Sequence, residues 1–127
     1  MPQYVIQEHH QSENRNQKAE SRNLGVHYDF MLESGDILKT WRIPQSPDHY
    51  PQKIEQIQDH RKIYLDYEGE ISGNRGFVKI WDKGDYAILT WTDQIIEIQL
   101  SGIKLQGTYQ LKLITIPIWD FLKHSNA

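Results

Sequence analysis

A small set of side chains in this sequence has the chemistry of a metal-assisted phosphoester site. His27 and Asp29 lie two residues apart, His9 precedes them, and His60 and Tyr64 follow with three residues between them. Imidazoles and carboxylates bind divalent metal ions, and a histidine can also act as a general acid near a phosphate. We therefore begin from the hypothesis that these residues act together on a phosphoester.

The alternation of side chains along a strand predicts which way the first part of this set faces. The segment 26–33 alternates between an apolar set (Tyr28, Phe30 and Leu32) and a second set (His27, Asp29, Met31 and Glu33). Because successive side chains of a strand point to opposite faces, the apolar set is expected to face the core. His27 and Asp29 then share the other face, and His9, at the end of a preceding strand, is expected to be the third metal ligand. The alternative is that each histidine is a surface or hydrogen-bonded structural residue.

His60 and Tyr64 form the second part of the candidate site. A spacing of four places two side chains on the same side of a helical turn or of a strand, so that they can act together. His60 could donate a hydrogen bond to a phosphate or serve as a general acid, and the Tyr64 hydroxyl could bind a phosphate oxygen or orient His60. The alternative is that Tyr64 packs against Tyr67 as part of an aromatic wall.

The elements that must position these residues are mainly strands. The pattern predicts strands at 4–8, 26–33, 37–43, 77–81, 86–91, 95–100 and 104–116, with turns at 34–36 and 82–85. Pro51 is predicted to begin a short helix that runs to Gln58, with Ile54 and Ile57 as its apolar stripe. The almost wholly polar segment 11–23 is expected to be a surface loop. The regular spacing of short strands is typical of an antiparallel barrel or sandwich.

Composition limits the class of protein. The 127 residues are 38% hydrophobic and 24% charged, a profile typical of one globular domain, 1–127. The net charge of −3 argues against sequence-independent coating of DNA, so contact with a polyanion must come from local cations. The absence of cysteine excludes disulfides and thiolate metal sites. No stretch has the features of a secretion signal or approaches the roughly 20 apolar residues that span a bilayer, so we expect a cytoplasmic location and no membrane partner.

Several segments carry a resemblance to a known family, and they occur in the family's order. These are 4–10 (YVIQEHH), 27–33 (HYDFMLE), 38–44 (LKTWRIP), 59–60 with 64–69 (DH and YLDYEG), 81–84 (WDKG) and 100–107 (LSGIKLQG). Together they resemble the 3′-phosphoesterase domain that is attached to bacterial DNA ligase D and also occurs as a stand-alone protein. The resemblance covers nearly the whole chain.

The resemblance implies a fold, an activity and a set of site residues. The implied fold is a small closed antiparallel β-barrel with a central polar cavity, to which our sequence analysis adds the short helix. The implied activity is removal of 3′-phosphates and 3′-terminal ribonucleotides from DNA ends with a divalent metal, Mn²⁺ by the resemblance, although the ligands would also suit Zn²⁺. By position, His9, His27 and Asp29 would bind the metal, and His60 and Tyr64 would bind and activate the phosphate. The partners implied are DNA or DNA/RNA 3′ ends and DNA repair proteins.

The sequence departs from the family pattern at two cationic positions and in one loop. Met31 stands where the family has an arginine that helps to hold the phosphate, and Gln45 stands where it has a lysine. The segment between His9 and His27 is also longer than the family's usual six-residue spacing. A replacement guanidinium is expected, because a phosphoryl group in reaction develops charge that the metal alone rarely neutralises. We rank Arg75 first, because it lies in a loop bounded by glycines, Arg61 second and Arg42 third.

These departures leave two alternatives to the enzyme open. The chain could be a catalytically weakened module of the same fold that binds nucleic-acid ends or a repair partner. It could also be a phosphoesterase for a different substrate, because Met31 makes one wall of the site apolar.

Overall fold

The strands predicted from alternation fold into one antiparallel sheet. The computed structural model of the protein describes residues 1–11, 25–71 and 76–124. Within these residues the strands are β1 (Gln3–His10), β2 (Val26–Ser34), β3 (Ile37–Ile43), β4 (Gln52–Arg61), β5 (Gly69–Glu70), β6 (Phe77–Trp91), β7 (Ile95–Gly102), β8 (Gln106–Thr115) and β9 (Ile118–Lys123). A short 3-10 helix, Lys62–Leu65, follows β4. Most of the predicted polar loop 11–23 lies outside the described residues.

The sheet closes on itself as an eight-stranded barrel. The strand order is β1-β2-β3-β4-β9-β8-β7-β6, and β1 also pairs with β6, which completes the ring. The two-residue β5 is added at the start of β6. The closed antiparallel barrel that the resemblance implies is therefore confirmed. No helix in the described part of the chain has the length and apolar character needed to cross a membrane.

The barrel interior is filled with apolar side chains rather than enclosing a polar cavity. Its buried cluster takes residues from every strand of the ring, namely Tyr4, Ile6, Phe30, Leu32, Trp41, Ile43, Ile54, Tyr86, Ile96, Ile98, Leu100, Tyr109, Leu111, Trp119 and Phe121, together with Leu105. Aromatic rings pack edge to face across it, as in the pairs Tyr4–Phe30 and Trp41–Trp119. The expectation of a central polar cavity is thus wrong, because the inward positions of the strands are mainly apolar, with Gln52 and Asp82 as buried polar exceptions.

A second, smaller apolar cluster lies on the opposite face of β1, β2 and β3. It contains Val5, Met31 and Leu38 from the strands and Leu65 from the 3-10 helix, with Tyr64 packed against it. These strand residues alternate with those of the barrel interior, so they face outward. The 3-10 helix covers this outer face, and the histidines of the candidate site lie on the same face.

The helix predicted at 51–58 is wrong, because this segment is β4. Gln52 and Ile54 are buried while Lys53 and Glu55 are exposed, which is the alternation of a strand. Ile54 faces the barrel interior opposite Trp119, and Ile57 pairs with Thr40 on the outer face. Residues three apart in a strand point to opposite faces, so the spacing of Ile54 and Ile57 is compatible with a strand. Hydrogen-bonded pairing with β3 and β9 outweighs the local helical pattern.

The turn predicted at 82–85 is also wrong, because β6 runs without interruption through these residues. The Asp82 carboxylate is buried, accepts hydrogen bonds from the backbone N–H groups of residues 103–105 at 2.9–3.0 Å, and accepts one from the Tyr4 hydroxyl at 2.6 Å. Gly102 packs against this group so closely that a Cβ would collide with the Tyr4 hydroxyl and the Asp82 carboxylate. Asp82 therefore orders a neighbouring turn instead of forming one.

We expect Asp82→Asn to destabilise the fold by about 1–3 kcal/mol at neutral pH, because an amide cannot accept all of these hydrogen bonds. Burial raises the pKa of the Asp82 carboxyl, but its backbone hydrogen bonds and the Tyr4 hydroxyl outweigh burial and lower the pKa below its usual 3.8. A lowered folded-state pKa gives stability that is present above pH 3.8 and is lost as the pH falls further. Urea unfolding of wild type and variant at several pH values should show a difference that is largest near neutrality and shrinks in acid. A difference independent of pH would contradict this account.

Candidate metal centre

Three potential metal ligands meet on the outer face of β1 and β2. One ligating atom from each of His9, His27 and Asp29 lies within 4.8 Å of the other two. His9 and His27 are direct register partners in the β1–β2 ladder, and Asp29 is the next outward residue along β2. Strand alternation thus brings together the three residues that the resemblance implies as metal ligands.

The group is compact and largely shielded from solvent. His9 Nδ1 lies 3.0 Å from His27 Nε2 and 3.7 Å from Asp29 Oδ2, and His27 Nε2 lies 3.5 Å from Asp29 Oδ1. The side chains of His27 and Asp29 are 9% and 7% exposed, whereas that of His9 is 16% exposed. His9 therefore forms the more open side of the group.

Asp29 is held in its charged form by the two imidazoles. Burial alone raises the pKa of its carboxyl, but polar contacts with His27 and His9 outweigh burial and hold that pKa well below its usual range. A metal ion binds the deprotonated carboxylate, so it would not have to displace a proton from this residue.

The donor atoms fit a divalent metal ion. Asp29 Oδ1 is buried and accepts no hydrogen bond, a costly arrangement that a bound cation would relieve. Two imidazole nitrogens and a carboxylate oxygen on one side of an ion leave its other positions open for water or a phosphate oxygen. The group therefore has the composition of a catalytic rather than a closed structural metal site.

His60 and Tyr64 lie together, as their spacing predicts. Their ring centroids are 5.7 Å apart, and His60 Nδ1 lies 3.0 Å from the Gln58 carbonyl oxygen, which fixes the imidazole through a hydrogen bond. That contact uses Nδ1 as the donor and leaves Nε2 available to a substrate. Tyr64 also packs edge to face on Tyr67 at 5.6 Å, so the aromatic wall and the His60 contact occur together.

Gln7 connects the two halves of the site and was missed by the sequence analysis. Its side chain is buried on the outer face of β1, and its amide donates to the carbonyls of Tyr64 at 3.0 Å and Tyr67 at 3.1 Å. Gln7 is also the register partner of Asp29. Its position two residues before His9, on the same strand face, was the available sequence signal.

The cationic residues proposed to replace the missing arginine fall in different places. Arg75 lies outside the described residues. The Arg61 guanidinium is 5.9 Å from the centre of the Tyr64 ring, at the His60 end of the site. Met31 is fully buried in the outer apolar cluster, so it forms part of the floor beneath the site. Arg42 is the register partner of Asp29 on β3, a position that the sequence ranking placed third.

The fold and this group of side chains together define a class of protein. Its members are closed antiparallel β-barrels that carry a candidate metal centre on the outer face of the barrel. A family model described as DNA Ligase D 3'-phosphoesterase domain matches residues 16–112. The matched residues include His27, Asp29, His60 and Tyr64. His9 lies before the matched residues, and its register pairing with His27 places it in the group.

Curated relatives agree with this match. The "Multifunctional non-homologous end joining protein LigD" of Pseudomonas aeruginosa is 34% identical over 97 residues, which cover 68% of this chain and 12% of that protein. The protein of the same name from Mycobacterium bovis is 33% identical over 118 residues, which cover 85% of this chain and 14% of that protein. The chain thus spans about one eighth of the length of these relatives. It belongs to the DNA ligase D 3′-phosphoesterase domain family.

We predict that removal of the Asp29 carboxylate weakens metal binding. Asp29→Asn leaves two imidazoles without a charged ligand, and we expect the affinity for Mn²⁺ to fall by about tenfold or more. Calorimetric titration of metal-free protein with MnCl₂ measures this directly. Asp59→Asn is the matched control, since Asp59 is an exposed carboxylate on β4 outside the group. Equal Mn²⁺ affinities for wild type and Asp29→Asn would refute the ligand assignment.

We also predict that Gln7 holds the segment 62–67 against the barrel. Gln7→Leu removes both hydrogen bonds, so the amides of this segment should exchange with solvent at least several times faster. Hydrogen exchange followed by mass spectrometry gives the measurement. Gln52→Leu is the matched control, because the Gln52 amide donates in the same way to the carbonyls of Ser46 and His49. Gln52→Leu should speed amide exchange in the loop 46–49 and leave exchange in 62–67 unchanged. If both variants speed exchange in 62–67 equally, Gln7 does not hold this segment.

Proposed function

We propose that this chain is a divalent-metal-dependent phosphoesterase that acts on the 3′ ends of DNA, removing a 3′-phosphate or a 3′-terminal ribonucleotide during end repair. The observation that carries the proposal is the close approach of His9, His27 and Asp29 in a chain of this family. Family membership supports a role in processing DNA ends. The names of the relatives supply the link to end joining, and DNA repair proteins are the partners that we propose from it.

A metal ion would supply Lewis-acid polarisation of the phosphate and neutralise part of its charge. We propose His9, His27 and Asp29 as its ligands and Mn²⁺ as the ion, with Zn²⁺ as the alternative. Asp29 contributes one negative charge, so a divalent ion and its ligands would carry a net charge of about +1 and attract a phosphate.

The second half of the site would act on the leaving oxygen. The hydrogen bond that His60 Nδ1 donates to the Gln58 carbonyl fixes the His60 ring, and Nε2 would act as hydrogen-bond donor or general acid when the ring is in its imidazolium form. The edge-to-face contact with Tyr64 restricts His60 further, and the Tyr64 hydroxyl would bind a phosphate oxygen. The side-chain amide of Gln7 would hold Tyr64 in place by its hydrogen bond to the backbone carbonyl of Tyr64.

The test is the release of phosphate from a primer–template that ends in a 3′-phosphate, with a second substrate that ends in a 3′-ribonucleotide. Wild type with Mn²⁺ should process at least one of them, and EDTA should abolish the activity. We expect His60→Ala to lower kcat by about 10²-fold or more if His60 assists the leaving oxygen. His49→Ala, a change of an exposed histidine in the loop before β4, is the matched control and should retain activity.

The competing function is binding without catalysis. It is favoured by Met31, whose buried apolar side chain cannot provide the guanidinium that the family places there. Wild-type protein that binds the 3′-phosphorylated primer–template but processes neither substrate, with Mn²⁺ or with Zn²⁺, would establish this alternative. Turnover of other phosphodiesters instead would point to a different substrate.

A further inference from the structure

Arg42 occupies the site face directly beside a candidate metal ligand. It is the register partner of Asp29 across the β2–β3 ladder, and its neighbours Trp41 and Ile43 face the barrel interior. Alternation therefore turns Arg42 outward, onto the face that carries His27 and Asp29. Residue pairs of this kind have Cβ atoms about 4.5–5.5 Å apart, so a long side chain at Arg42 extends over the region next to Asp29.

One donor atom of the Arg42 guanidinium has no partner among the residues that the structure describes. Its Nε atom is buried and forms no hydrogen bond, and within the described residues Arg42 forms no ion pair. Other cationic side chains of the chain are ion-paired, as Lys62 is with Glu33 and Lys83 is with Asp66. A buried N–H donor on a permanently charged group is costly to leave unpaired. A bound anion would pair with this donor, and none of the carboxylates in the described part of the chain does so.

Two carboxylates are near enough in the sheet to compete for Arg42, and neither binds it. Asp29 is its partner on β2 and Glu55 its partner on β4, yet neither forms an ion pair with it. Asp29 is instead in contact with His9 and His27, and Glu55 is exposed. Neither of these two carboxylates, therefore, prevents the guanidinium from binding a ligand next to the candidate metal group.

Arg42 is also well placed relative to Met31. Met31 pairs with Thr40, so Arg42 and Met31 are diagonal neighbours on one face, a relation that places Cα atoms about 7–8 Å apart. An arginine at either position can extend toward the same space above Asp29. Met31 forms the apolar floor, and Arg42 provides a positive charge at its edge.

We propose that Arg42 is the phosphate-binding guanidinium of this chain, taking from β3 the place that the family's arginine occupies on β2. This inference depends on the proposed function, because the anion it assigns is the terminal phosphate of a 3′ end. Arginine offers several N–H donors in a rigid fork, which suits two oxygens of one phosphate. Arg42 would thereby make the site prefer a 3′-phosphate over a 3′-hydroxyl.

The experiment measures binding without turnover. Fluorescence anisotropy in EDTA gives the affinities of two labelled primer–templates that differ only in ending with a 3′-phosphate or a 3′-hydroxyl. Wild type should prefer the phosphate, and Arg42→Gln should reduce that preference by about tenfold, since hydrogen bonds to charged groups are worth more than 1.4 kcal/mol. Lys53→Gln is the matched control. It removes an equal charge from an exposed residue of β4 that pairs with Asp120, and it should keep the preference.

Arg42→Lys separates charge from geometry and provides a second variant if the first unfolds. It keeps the positive charge but lacks the fork, so it should retain part of the preference for phosphate. Thermal unfolding identifies which variants remain folded.

The outcomes test the role of Arg42 and the proposed phosphoesterase function separately. If Arg42→Gln and Arg42→Lys both keep the wild-type preference, the role of Arg42 is refuted. The proposed function still stands in that case, provided that wild type with Mn²⁺ releases phosphate. If wild type shows no preference for the 3′-phosphate, the role of Arg42 is refuted as well, and the release assay judges the proposed function separately. If wild type releases no phosphate but its preference depends on Arg42, the proposed catalysis fails and Arg42 is the anion-binding residue of a binding module.

Discussion

The pairing register of β1 with β2 is the constraint on which both the core and the candidate site depend. His9 pairs with His27 and Gln7 with Asp29, while Ile6 pairs with Phe30 inside the barrel. A shift of one residue in either strand would turn its histidine inward and its apolar residues outward. Burial of Phe30 and its neighbours therefore fixes the register, and the register brings the imidazoles within contact distance. The site needs no separate scaffold, since it is the reverse face of the core-forming strands.

The two halves of the site are joined through apolar packing and one amide. Met31 and Val5 form the floor beside Asp29, and Tyr64 lies against that floor with His60 against its ring. The amide of Gln7 fixes the backbone that carries Tyr64. A catalytic constellation must be held to within a fraction of an ångström, and packing against regular strands achieves this better than free loops do. The 3-10 helix is thus held against the outer face of the sheet and positions Tyr64 beside His60.

Local alternation was sufficient to predict the orientation of β2 and the grouping of His27 with Asp29, because a two-residue period is a property of the strand itself. It failed where distant pairing decided the structure. The stripe of Ile54 and Ile57 has helical spacing, but β3 and β9 impose a strand. The polar segment at Asp82 has turn composition, but a loop more than twenty residues later supplies its hydrogen-bond donors. The tether from Gln7 to Tyr64, across 57 residues, has no local signature either.

The same distinction explains why the sequence analysis ranked Arg42 third, whereas our proposal from the structure puts it first. Flanking glycines favoured Arg75 and adjacency to His60 favoured Arg61, both of which are local criteria. The criterion behind the proposal is which residue lies across the ladder from the candidate metal ligand Asp29, and only the β2–β3 register shows this. Because an antiparallel sheet brings a different strand to each side of Asp29, a cation lost from β2 can be replaced from β3 without any change in the backbone. What matters for binding an anion at such a site is where the positive charge lies on the outer face of the sheet. The effect of Met31 on β2 must therefore be considered together with Arg42 on β3.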